Sequence, residues 1–131
     1  MLTAVPLPRT SISVASCTPG SDPGRWLVCW LVVNEGDDVL RLEDAWVPHG
    51  RFRGEGHVPL DVLVSPSSSM RLELEVAVDE PPGTVVSNAF LVLRVLSGED
   101  SWRIFARMRI EFGPGGAPVP IVENVTVQSM V

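Results

Sequence analysis

Lysine and tyrosine are absent from this chain of 131 residues, and aromatic residues make up only 6% of it. All ten basic residues are arginine, outnumbered by sixteen carboxylates, for a net charge of −6. An acidic balance excludes the general attraction to nucleic acid or anionic membranes that basic surfaces provide. No apolar run approaches the roughly 18 residues needed to span a bilayer. The longest, Trp26 to Val33, is strand-sized. Catalytic motifs are missing too: there is no G-x-S-x-G elbow, no glycine-rich phosphate loop and no C-x-x-C pair. Nothing in the sequence calls for a cofactor.

The first residues, MLTAVPLPRTS, lack the positive start and long apolar stretch of a secretory signal. A native start therefore implies a cytoplasmic protein, and excision from a longer chain an extracytoplasmic one. Cys17 and Cys29 flank the turn-rich segment TPGSDPG, which makes a disulfide geometrically conceivable. Without a secretory signal, two buried free thiols are the better expectation. Cys29 lies in an apolar run, where a thiolate is disfavoured, so it makes a poor nucleophile.

What is present is strand periodicity. Apolar residues at 45% and charged residues at 20% describe a folded globular chain of one-domain length. Ser11 to Cys17 alternates, and Arg25 to Asn34 is apolar on both parities, as a central strand is. Val39 to Val47 begins with Leu40 and Leu42 opposing Arg41 and Glu43. Val58 to Val64 has strand character, and Met70 to Val78 alternates most clearly of all. Val85 to Leu96 reads as central. Ser101 to Phe112 sends Trp102, Ile104, Ala106, Met108, Ile110 and Phe112 inward, with Arg103, Phe105, Arg107, Arg109 and Glu111 outward. Turn formers separate these runs. The pattern predicts an all-β, immunoglobulin-like antiparallel β-sandwich of about seven strands with a C-terminal strand-like tail. Residues 1–113 form the body. Residues 114–131 form a Pro/Gly spacer and the tail: no regular element is expected in Gly113 to Pro120, and a last alternating piece, Glu123 to Val131, follows.

Three features resemble bacterial immunoglobulin-like and fibronectin-III-like domains of the CARDB kind. They are the strand entering Asn34-Glu35-Gly36, the serine-rich turn Ser65 to Ser69 opening the strand from Met70, and Pro81-Pro82-Gly83 leading to Phe90 to Leu96. The likeness covers most of residues 10–112. It departs at Ser65, whose turn lacks the usual glycine, and at the loop Pro48 to His57, which has no counterpart. The resemblance implies a domain that assists binding or assembly without catalysis.

Two surfaces are candidates for function. The loop Pro48 to His57 (PHGRFRGEGH) holds His49, Arg51, Arg53, Glu55 and His57, with Trp46 beside it. Its arginines present forked donors suited to carboxylate or phosphate. The weaker alternative is a metal site from His49, Glu55 and His57, which matches no established spacing and which the arginines oppose. The plain structural alternative is an exposed loop with Phe52 tucked onto the sandwich edge. The second surface is the outward stripe Arg103, Phe105, Arg107 and Arg109, either a partner-binding face or stems pairing with carboxylates such as Glu73 and Glu75. The expected function is a non-catalytic module acting through protein–protein contacts or self-association, the latter as a homodimer through the C-terminal strand. The alternative is small-molecule, anion or metal binding at loop 48–57. Nucleic acid and membrane insertion are not expected.

Overall fold

The alternating runs become strands because each can bury one side and hydrate the other. The computed structural model describes residues 7–130. Residues 1–6, the start of the stretch read for a leader, and Val131, the last of the tail, lie outside the described residues. Six strands come first: β1 (Thr10–Pro19), β2 (Arg25–Asn34), β3 (Leu40–Trp46), β4 (Pro48–His49), β5 (Phe52–Arg53) and β6 (Val58–Val64). Four follow: β7 (Ser69–Ala77), β8 (Val85–Ser97), β9 (Asp100–Phe112) and β10 (Pro118–Ser129). Among the described residues there is no helix. Two antiparallel sheets of five strands run β1-β2-β7-β5-β4 and β10-β9-β8-β3-β6. The protein is a β-sandwich. Its seven long strands and tail are those expected, and the short β4 and β5 fold part of the polar loop into a hairpin.

The core lies between the inner faces of the sheets. Val28, Trp30 and Val32 of β2 are buried there, as are Ile104, Met108 and Ile110 of β9. Burying side chains of this size stabilises by roughly 1.5–3 kcal/mol each. The indole Nε1–H of Trp30 donates to Met108 Sδ at 3.4 Å, so the largest core residue of one sheet is satisfied by the other.

The spacer behaves differently from expectation. Strand β10 begins inside it, pairing Pro118 with Phe112 and Pro120 with Ile110. Both prolines are buried and Val119 between them is exposed. The strand lies at the sheet's edge, and prolines two apart share one orientation, so their missing N–H groups can all fall on the unpaired side. The tail therefore pairs with β9 of its own sheet.

The cysteines do not meet. The β1–β2 register shifts between Val14 and Ser16, which sets Ser16 against Cys29 and Cys17 against Val28. Successive residues face opposite ways, so Cys17 packs toward the core while Cys29 does not share its face. Both are free thiols. Burial pushes the Cys17 thiol up from 9.0 to about 11, leaving little thiolate at neutral pH.

At one end of the sandwich, the buried Asn34 joins elements of both sheets. Its Nδ2 donates to Asp38 O at 2.8 Å and to Val64 O at 2.9 Å, and its Oδ1 accepts from Gly36 N–H at 3.0 Å. Its backbone also bonds the β6–β7 turn, donating to Ser68 O and accepting from Ser67 N–H, both at 2.9 Å. Asn34→Ala leaves one buried and two part-buried backbone groups without their partner and is expected to cost about 1–3 kcal/mol in urea unfolding. Asn34→Asp, which has the shape but no donor, should do no better than alanine. A loss below about 0.5 kcal/mol for either variant would contradict this role.

Candidate functional site

The site begins with one extra residue in β3. Leu40 and Leu42 face the core and Arg41 faces out. The β3–β8 register then steps from Leu42↔Val95 to Asp44↔Arg94, leaving Glu43 with no partner on β8. This bulge reverses the parity of everything after it. Ala45 and Val47 become core residues, and Asp44 and Trp46 emerge on the outer face of the sheet. An unbroken alternation would have buried the Asp44 carboxylate, at a cost no nearby apolar residue could offset.

Beyond Val47, β4 and β5 form a hairpin pairing Pro48 with Arg53 and His49 with Phe52. Phe52 is fully buried. The chain then reverses at Gly56, whose φ of 72° is the left-handed conformation that glycine adopts freely. That reversal lays the His57 ring on Trp46, with ring centroids 4.4 Å apart and planes at 27°.

Beside this stack, β8 and β9 present their outer faces. The register sets Phe90 against Arg107, Val92 against Phe105 and Arg94 against Arg103. The Phe90 and Phe105 rings meet edge to face at 6.3 Å. Together these elements enclose a half-open cleft of about 640 Å³. Its floor is apolar: Trp46, Phe90, Val92 and Phe105, walled by Pro48 and Met130. Its charged rim is Asp44, His57, Arg94 and Arg103. Arg94 Nη2 stands 3.0 Å from Asp44 Oδ2, and His57 Nδ1 stands 3.7 Å from Asp44 Oδ1. Arg103 and Arg107 make no ion pair among the described residues.

The structure thus brings Trp46, His57, Arg103 and Phe105 together, joining part of each expected surface into one site. The other loop residues are held elsewhere. Arg51 pairs with Glu80, which holds that carboxyl below its usual range. His49 Nδ1 accepts the Arg51 backbone N–H at 3.1 Å. Glu55 binds Arg25, whose Nε also meets Glu75 at 2.6 Å. The hydrogen bond from Arg25, with a second from Ser21, keeps Glu75 below the usual carboxylate range. Arg53 borders a neighbouring hollow with Gly54 and Arg25. Among the described residues, no three of His, Cys, Asp and Glu converge as a metal would require, so His49, Glu55 and His57 form no such set.

The arginine stripe also differs in its partners. Glu73 and Glu75 belong to β7 in the opposite sheet and are out of reach. Arg109 instead meets Glu111 at 3.3 Å and Glu123 at 3.5 Å. Sequence reasoning did not single out Asp44, Phe90, Val92, Arg94 or Met130 as lining residues. One signal was legible: two consecutive carboxylates, Glu43 and Asp44, interrupt the apolar alternation and mark the bulge.

The described lining offers no hydroxyl, thiol or amine, so the cleft is equipped to hold a ligand by apolar contact, stacking and charge. Compared with known proteins, the chain matches no protein family and no curated protein.

The contrast between two tryptophans checks this assignment. Trp30→Ala empties a core position and is expected to cost about 3–5 kcal/mol in urea unfolding. Trp46→Ala trims an outer face and should cost no more than about 2 kcal/mol. The reverse order would place Trp46 in the core and remove it from the cleft.

Proposed function

We propose that this protein is a non-catalytic binding module that engages a partner protein through the outer face of β3, β8 and β9. One observation carries the reading. Three aromatic side chains, Trp46, Phe90 and Phe105, line an open cleft with Val92 under a rim that includes Arg94 and Arg103, where a sheet face with no partner needs only polar residues. Aromatic residues and arginine are the types enriched where proteins dock, because they combine large contact area with directional polar groups. The cleft volume of about 640 Å³ is within the range of sites that hold a compact ligand, so it has room for side chains of a partner. The resemblance to bacterial immunoglobulin-like domains of the CARDB kind points the same way.

Self-association through an exchanged tail finds less support, since β10 already pairs in its own sheet along β9 from Trp102 to Phe112. The ion pairs of Arg51 and Glu55 likewise make loop 48–57 a wall of the cleft more than a separate site.

A library of small aromatic fragments, screened by amide chemical shifts of the labelled protein, tests this reading. Hits should cluster on residues 46, 90–94 and 103–105. Phe105→Ala should weaken them by about fivefold or more while the remaining spectrum stays native. Hits scattered over both sheets, or none at the cleft, would remove the binding face from the account.

A further inference from the structure

We infer that the segment bound in this cleft is extended and acidic, with a carboxylate on each side of an aromatic residue in the order acid–x–aromatic–x–acid. The inference rests on the reading of this face as a binding surface and adds the chemistry of its occupant.

Charge comes first. Arg94 and Arg103 are direct cross-strand partners on the outer face. Like charges so placed repel. Asp44 compensates Arg94 at 3.0 Å, and Arg103 has no ion pair among the described residues. Arg107, opposite Phe90, is in the same condition. A protein of net charge −6 thus keeps two uncompensated guanidiniums on one apolar face. An incoming anion would relieve the repulsion and use donors already aimed at solvent.

Spacing comes second. Arg103, Phe105 and Arg107 alternate along β9 with their outward positions two residues apart. Same-face residues on a strand repeat every 6.6 Å or so, which puts the two arginines roughly 13 Å apart with the aromatic midway. A single small anion cannot reach both. An extended peptide has the same repeat, so acid, aromatic and acid at alternate positions match arginine, cleft and arginine. Nucleic acid fits poorly, because Asp44 stands at one end of this face and Glu111 and Glu123 at the other.

The test uses three capped peptides, Asp-Ser-Phe-Ser-Asp, Asn-Ser-Phe-Ser-Asn and Asp-Asp-Phe-Ser-Ser, titrated into the labelled full chain. The first should shift cleft amides and bind at least about tenfold more tightly than the second, with the advantage shrinking in high salt. It should also exceed the third, which has the same charge in another order. In the Arg103→Gln/Arg107→Gln variant the first two peptides should bind alike, while the unliganded variant melts at the same temperature as the parent or higher. Equal binding of the first two peptides to the parent would overturn the acidic requirement and leave the binding face standing. Equal binding of the first and third would overturn the spacing. No cleft shift at roughly 5 mM peptide, with aromatic fragments still bound, would overturn the peptide inference alone. Loss of both would take the binding face with it.

Discussion

A β-strand must alternate, and the outer face of this sandwich depends on where one strand breaks that rule. Through Leu42, β3 sends leucines inward and a charge outward. Its next four residues, Glu43, Asp44, Ala45 and Trp46, cannot continue the pattern without burying a carboxylate. Leaving Glu43 unpaired against β8 resolves the conflict. Ala45 and Val47 then close the core, and Asp44 and Trp46 take up the positions from which they meet Arg94 and His57. Without that step, Trp46 would compete with Trp30 for the interior and the cleft would lose part of its floor.

The same strands serve core and cleft at once. Alternate residues of β9 bury Ile104, Ala106 and Met108 on one side and carry Arg103, Phe105 and Arg107 on the other. Rigidity follows from this economy. The outer residues sit on backbones fixed by pairing with β8 and β10 and by the packing beneath them, so the spacing of charge and aromatic is set before any ligand arrives. At the far end of β2, Asn34 ties the two sheets through bonds to Asp38 and Val64. On the loop, Arg51 and Glu55 are held in ion pairs with Glu80 and Arg25, while Arg103 and Arg107 on the sheet face have none among the described residues.

Most of the fold was legible because the signal is local. The strand Arg25–Asn34 and the strand Val58–Val64 have the bounds that composition and turn chemistry indicate. The two faces of β9 follow from parity alone. The site was only partly legible, because it depends on which strands become neighbours. Nothing local says that Phe90 and Arg94 stand beside Phe105 and Arg103, or that Glu73 and Glu75 lie in the other sheet. Val85 to Leu96 is apolar on both parities, which is read equally well as cover on both sides or as the floor of a cleft. Proline in the spacer suggested a break, yet at an edge strand a proline costs no ladder bond. The bulge at Glu43 and the shift near Cys17 are one-residue events, and each redirects every side chain beyond it.

The most direct measurement is on a chain from which Glu43 alone is deleted. In that chain Leu42, Asp44, Ala45 and Trp46 alternate without interruption, so β3 should run as a regular strand with Trp46 still outside. The account predicts a folded protein within about 2 kcal/mol of the parent, with nuclear Overhauser contacts between the Trp46 and His57 rings retained. An unfolded chain, or a folded one in which those contacts vanish, would show that the outer face is not set by parity at Glu43.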